Sequence, residues 1–93
     1  MIKGSATIQF GSGSVASAAG VDYENDVGII CMRSVSPGKI GRDFGEVDAE
    51  FVKNNAEVVI YFTNVESLDA HIRMLEQLRE NMANHKEVEE DQL

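Results

Sequence analysis

The run VGIICMRSV, residues 27–35, decides which fold this chain can have. Read as a strand, it is apolar on both faces, with Val27, Ile29 and Cys31 on one and Ile30 and Met32 on the other. A second run, AEVVIYFT at residues 56–63, has the same character. Strands of this kind belong inside a protein, with both faces of their sheet covered. The sequence therefore predicts a sheet that needs a layer of structure on each side.

Weaker patterns flank these two strands. Ser5–Phe10 alternates apolar and polar residues, which predicts a half-buried strand, whereas Val15–Tyr23 fits either a weak strand or a helix. Ser36–Lys39 reads as a turn because proline and glycine adjoin there. After that turn, Lys39–Val47 can return as an antiparallel strand. Asp48–Asn55 reads as a loop or one short helical turn.

The hydrophobic period changes after Asn64 to steps of three and four, which predicts one amphipathic helix. Its apolar positions are Val65, Leu68, Ile72, Leu75, Leu78 and Met82. Asn64 or Ser67 can cap this helix, which should end near Asn84. We therefore predict a single α+β domain at residues 1–84, with a four- to five-stranded, mainly antiparallel sheet and one C-terminal amphipathic helix packed on one face. An acidic, flexible C-terminal tail follows at residues 85–93.

The predicted helix can cover only one face of the sheet. The other face needs either the alanine-rich segment at residues 15–23 or a second copy of the chain. The apolar spacing of the helix is also that of a coiled coil, although Arg79 interrupts it. We therefore expect a homodimer or a higher symmetric oligomer, and the alternative is a monomer with an apolar outer sheet face.

Composition narrows the classes of partner. The formal net charge of -8 argues against direct nucleic-acid binding, which needs clustered lysine and arginine. No apolar run approaches the ~18 residues of a membrane span, and the first residues lack the apolar core of a signal peptide. Cys31 is the one cysteine, so no intrachain disulfide can form, which suits a reducing compartment. We expect a cytoplasmic protein.

Residues that often carry catalysis have no suitable arrangement in this sequence. Cys31 falls in the middle of a strand, where a small core residue is expected rather than a nucleophile. His71 and His85 would lie about 20 Å apart on a regular helix and cannot bind one metal ion. The acids within residues 22–26 lack the glycine and distant glutamate of a calcium loop. We therefore expect no enzymatic activity, no cofactor and no bound metal.

The strongest candidate for a ligand site is the basic segment Arg33–Arg42, which contains three bases and no acid. Turn amides near its glycines could form a concave nest for an anion, and arginine suits phosphate or carboxylate. The candidate ligand-binding residues are Arg33, Ser34, Ser36, Gly38, Lys39, Gly41 and Arg42, with Tyr23 or Tyr61 stacking on a base. The plainer interpretation is an exposed hairpin tip whose bases balance Asp43 and Glu46.

Two functions fit these observations. The first is a non-enzymatic homo-oligomeric binding protein that sequesters or senses an anionic small molecule, such as a nucleotide, at the basic hairpin loop. The alternative is a small acidic interaction or inhibitor protein that blocks a basic protein partner, in one version by mimicking nucleic acid. Short, acidic and built of a sheet followed by one helix, the chain is similar in outline to small accessory proteins of phages and mobile elements. That resemblance covers architecture only, so no residue role is carried over from it.

Overall fold

The computed structural model describes residues 1–40 and 45–91, and the side chains of residues 1–40 and 50–85. Its elements, in chain order, are β1 (Val15–Asp22), β2 (Val27–Ser34), α1 (Gly45–Asn54), β3 (Val58–Phe62) and α2 (Val65–Asp91). The strands form one sheet in the order β1-β2-β3. The predicted α+β class, with an antiparallel sheet and a C-terminal helix, is confirmed. The sheet has three strands among the described residues, so the prediction of four or five is not confirmed.

The alanine-rich segment forms strand β1 rather than a helix. It pairs antiparallel with β2 in an unbroken register, from Val15 opposite Ser34 to Asp22 opposite Val27. Residues that face each other in an antiparallel pair share one face of the sheet. Ala16, Ala18 and Gly20 therefore share a face with Ile29 and Cys31, and this face carries the smallest side chains of β1.

The turn between β1 and β2 is organised by Asp22. Its Oδ1 accepts hydrogen bonds from the backbone N–H groups of Glu24, at 3.1 Å, and Asn25, at 3.3 Å. Its Oδ2 accepts a further bond of 2.8 Å from the side-chain amide of Asn25. Asp26 completes the turn with a φ of 55°, a left-handed conformation that aspartate adopts more readily than most residues.

Helix α1 is the element that the sequence analysis did not predict. The strand predicted at Lys39–Val47 is wrong where it overlaps this helix, and residues 41–44 lie outside the described part of the chain. At Asp48–Asn55 the prediction was a loop or one short helical turn, and the structure has the larger part of a ten-residue helix there. Glutamate, alanine and lysine in this segment favour a helix. Phe44, Val47 and Phe51 also recur at steps of three and four, which is a helical spacing that the sequence analysis missed. Among the described side chains of the helix, only Val52 is buried.

The core of the described residues is small and lies between α1 and the sheet. Its members are Ala16, Cys31 and Val52, which are exposed by 0%, 6% and 1%. Cys31 is therefore the small core residue that its position predicted. Because Ala16 and Cys31 share a face of the sheet, α1 covers that face through Val52. The premise that the chain has only one helix to cover its sheet is thus incorrect.

Helix α2 begins at a well-formed cap. The Oδ1 atom of Asn64 accepts a hydrogen bond of 2.8 Å from the backbone N–H of Ser67, and the Ser67 hydroxyl donates to the Asn64 carbonyl at 2.9 Å. Asn64 is therefore the N-cap, as one of the two predicted alternatives had it. The helix continues to Asp91 instead of ending near Asn84, because the glutamates and lysine of the predicted tail are compatible with a helix.

By internal contacts the chain divides into two compact units, Met1–Tyr61 and Phe62–Leu93. The division into a domain at residues 1–84 and a separate tail stays a prediction. The strand predicted at Ser5–Phe10 is absent: the segment has no regular secondary structure and is exposed throughout. Within the described residues, no helix combines the length and apolarity that crossing a membrane requires.

Candidate functional site

Arg33, the first residue of the predicted basic site, is fastened to helix α1. Its Nη1 donates a hydrogen bond of 2.9 Å to the carbonyl oxygen of Asn55, directly after the helix ends. Its guanidinium carbon lies 5.3 Å from the centre of the Phe51 ring, within the range of a cation–π contact. A positive charge at a helix C-terminus is also favoured by the helix dipole. Arg33 therefore serves to hold α1 against β2.

The segment after β2 is not the free tip of a hairpin. The backbone N–H of Ser34 donates to Oε1 of Glu57 at 2.9 Å, and that of Val35 donates to the carbonyl of Ser14 at 2.9 Å. These bonds tie the segment to the chain before β1 and to the chain before β3. Lys39 is exposed, and Gly41 and Arg42 fall outside the described residues.

Two glycine-containing loops meet beside this segment. Gly13 has a φ of 68°, and a Cβ atom at this position would overlap the backbone carbonyl of Gly38. Gly38, one of the predicted ligand-binding residues, is thus packed against the loop at residues 11–14. The contact occupies space that an anion-binding nest at this glycine would need.

A small cavity of about 270 Å³ adjoins the end of β2 and contains two of the predicted site residues, Arg33 and Ser34. Met32, Glu57 and the exposed segment at residues 6–9 also line it. The cavity offers one basic and one acidic side chain. Because the arginine is bonded to Asn55 and the acid to the Ser34 amide, neither is fully available to a ligand.

The two predicted stacking residues, Tyr23 and Tyr61, lie in different parts of the sheet. Tyr23 follows Asp22, at the turn end of the β1–β2 ladder, whereas Arg33 and Ser34 lie at its other end. Seven steps of a strand separate Ser34 from Val27, a distance of about 23 Å. Tyr23 therefore cannot stack on a ligand that Arg33 holds in the same chain. Tyr61 is exposed on β3, and its ring contacts no other aromatic ring and no cation in the described part of the chain.

A larger groove of about 530 Å³ lies on the face of β1 and β2 that α1 partly covers. We call it the β1–β2 groove, and its lining residues are Ala18, Ala19, Gly20, Val21, Asp22, Tyr23, Ile29, Cys31 and Lys53. The groove exists because alanine and glycine leave room above the sheet where larger side chains would fill it. An added Cβ at Gly20 would meet no atom within 4 Å.

Lys53 and Asp22 are the charged groups at this groove. The pKa of Asp22 is lowered from 3.8, chiefly by hydrogen bonds from the side chain and backbone of Asn25. The Glu24 amide and the Lys53 charge lower it further, so this carboxyl is ionised at neutral pH. Both Asp22 oxygens already accept hydrogen bonds within the turn. The Lys53 ammonium makes no hydrogen bond among the described residues, and it remains available to a bound anion.

Sequence reasoning did not find this groove. The sequence shows the run of small residues in β1, which is what makes room for the groove. Small residues leave a groove only where a second layer of structure packs against their sheet. That layer is α1, which places Lys53 over strands more than 20 residues earlier in the chain.

Within the described residues, no group of three or more histidine, cysteine, aspartate or glutamate side chains could hold a metal ion. Cys31 is buried beneath Val52 and has no histidine beside it in its cluster. No family model, curated protein or solved structure matches this chain.

Proposed function

We propose that the protein binds a small amphipathic anion and releases it unchanged, as a carrier, sensor or sequestering protein. The β1–β2 groove holds the apolar body of the ligand, and Lys53 pairs with its negative group. The observation that carries this proposal is an apolar groove of about 530 Å³ with a single basic side chain at its border. Small-molecule sites typically combine such a volume with a few polar groups that orient the ligand.

The chemistry of the groove favours a ligand with one negative group and a flat apolar body. Ala18, Gly20 and Ile29 offer apolar surface, while Lys53 is the one cation among the lining residues. A nucleoside polyphosphate carries several charges and would need more than one base. The ionised Asp22, whose pKa the Lys53 charge helps to lower, would repel a second negative group.

Tyr23 adds a flat surface at the border of the groove. Its side chain is 88% exposed and could close over an aromatic ligand. Stacking of two rings with an offset contributes about 0.5–1.5 kcal/mol beyond simple burial. We therefore favour an aromatic anion over an aliphatic one.

The basic loop remains a second hypothesis for the anion site. Arg33 is engaged with Asn55 and Phe51, and Gly38 is packed against Gly13. The loop would have to rearrange before these groups could surround a phosphate. The groove requires no such change, which is why we prefer it.

A titration with 8-anilinonaphthalene-1-sulfonate tests the proposal, because this probe is a fluorescent aromatic monoanion. We expect Lys53→Met to weaken its binding by about tenfold, which corresponds to ~1.4 kcal/mol. Gly20→Leu should abolish binding, because the new side chain enters the open space above Gly20. Lys39→Met is the matched control, since it removes an exposed lysine that does not line the groove.

Circular dichroism of each variant must match that of the wild-type chain before the affinities are compared. If Lys53→Met and Lys39→Met bind the probe equally well, the groove is not an anion site. If Gly20→Leu binds as tightly as the wild type, the probe lies elsewhere and the proposal fails.

The predicted homo-oligomer, the fourth and fifth strands of the sheet, and the acidic inhibitor alternative also remain proposals. The acids that the inhibitor alternative would use are Glu46, Asp48 and Glu50. Of these, Glu50 is exposed, and the side chains of Glu46 and Asp48 lie outside the described ones. No observation on the described residues favours a basic protein partner over a small ligand.

A further inference from the structure

Helix α2 carries an apolar seam that the structure leaves exposed. The seam follows positions a and d of a heptad, and its residues are Val65, Leu68, Ile72, Leu75, Arg79 and Met82. We call these residues the α2 seam. Four of its side chains are exposed by 43% to 67%: Val65, Ile72, Leu75 and Met82. Because a helix in a protein draws most of its stability from packing an apolar face, this seam requires a partner.

We infer that the partner is a second copy of this chain, and that the two α2 helices form a parallel, in-register, two-stranded coiled coil. This inference stands on α2 alone and does not depend on the proposed ligand. A 27-residue helix is about 40 Å long, which gives room for three heptads. β-Branched residues at position a with leucine at position d favour two strands, and Val65, Leu68, Ile72 and Leu75 follow that pattern.

The charges beside the seam select the parallel orientation. Position e holds Asp69 and Glu76, and position g holds His71 and Leu78. In a parallel pair, each g residue faces the e residue five positions later in the other helix. His71 then lies opposite Glu76 of the other helix, so no acid faces another acid beside the seam. The His71 ring keeps its contacts within its own chain, where Nδ1 donates to the Ser67 carbonyl at 2.9 Å and the ring meets Phe62 edge-on.

An antiparallel pair would bring the two e rows together. Asp69 of one copy would then approach Glu76 of the other at the edge of an apolar seam. Like charges in such a position repel each other, and burial strengthens the repulsion. The two g rows would pair with each other as well, so His71 would no longer lie opposite Glu76.

Arg79 sets a limit on the strength of the pair. In the parallel, in-register pair, Arg79 of one helix lies opposite Arg79 of the other at position a. A single charged residue at such a position specifies the register and the number of helices at a cost in stability. The seam is also short compared with a standard interface of about 20–30 residues a side. We therefore expect a reversible dimer rather than a permanent one.

Disulfide trapping of the full chain tests both pairing and orientation. In a Cys31→Ala background, Leu75→Cys places one thiol at position d, where parallel helices bring equivalent residues together. Disulfide formation needs Cβ atoms about 3.5–4.5 Å apart. Ala70→Cys is the matched control, because it lies at position f on the outer side of the helix. Under mild oxidation, we expect covalent dimers for Leu75→Cys and none for Ala70→Cys.

Sedimentation equilibrium of the wild-type chain provides the second readout. We expect dimers at 100 µM and mostly monomers at 1 µM, and Ile72→Glu with Leu75→Glu should remain monomeric at both concentrations. A wild-type mass of one chain at 100 µM would overturn the inference. Equal trapping at positions 70 and 75 would overturn it too, and loss of probe binding in the β1–β2 groove would bear only on the proposed function.

Discussion

Gly13 shows how one residue can fix the path of two loops. Its φ of 68° is left-handed, and the space beside its Cα is taken by the backbone of Gly38. Both conditions exclude a side chain, so glycine is required here for two independent reasons. Neither reason is visible in the sequence, where Gly13 simply stands between two serines.

Gly13→Ala should therefore destabilise the protein by about 2–3 kcal/mol, from left-handed strain and from the overlap with Gly38. Gly4→Ala is the matched control, because Gly4 also has a positive φ of 78° but has nothing within 4 Å of an added Cβ. Urea denaturation of both variants measures the difference. Equal losses would mean that the Gly38 contact contributes nothing.

Asp22 makes the β1–β2 turn sensitive to pH. Its pKa is lowered in the folded chain, chiefly by the Asn25 side chain, so it stabilises the fold above the unfolded value of 3.8. That contribution is lost as the pH falls through the lower, folded pKa. The melting temperatures of wild type and Asp22→Ala should therefore differ at pH 7 and converge well below pH 3.8. A difference that stays constant down to pH 2 would contradict this account.

At the scale of elements, the strongest sequence patterns were the ones that the structure confirms. Strands β2 and β3 and helix α2 each have a consistent apolar period of two or of three to four residues. Helix α1 also has apolar residues at helical steps, Phe44, Val47 and Phe51, but the proline and glycine before it favoured a hairpin in the sequence analysis. Two contacts, through Val52 and Arg33, hold this helix against the sheet, and its own sequence shows neither. Its contacts lie in strands β1 and β2.

Arg33 is one of the two residues that hold α1 against the sheet. Replacing it distinguishes this structural role from the predicted role in binding an anion. Arg33→Met should destabilise the protein by about 1–2 kcal/mol, because it removes the bond to Asn55 and the cation on Phe51. The affinity of the β1–β2 groove for the arylsulfonate probe should stay within twofold of the wild type. Unchanged stability with weakened probe binding would instead favour the basic loop as the anion site.

For the whole molecule, the sequence pointed to the continuous run of bases as the anion site, and that site stays a prediction, whereas the groove that we propose has a single lysine from another part of the chain. The run of bases from Arg33 onward is easy to see because it is continuous. Lys53 is a single lysine between Glu50 and Glu57 in the sequence. It is a candidate anion-binding residue only because it lies at the border of the β1–β2 groove. A site assembled from two elements that are far apart in sequence appears only when the packing of those elements is known.

The position of β1 and β2 next to each other in the chain affects how the protein is made. Synthesis proceeds from the N-terminus, so both strands of the hairpin leave the ribosome before α1 does. Contacts that are local in sequence form first, and the nascent hairpin can pair while Ala16 and Cys31 still face solvent. Val52 covers this apolar surface once α1 has emerged. Until then, the growing chain can associate wrongly with neighbouring chains through it.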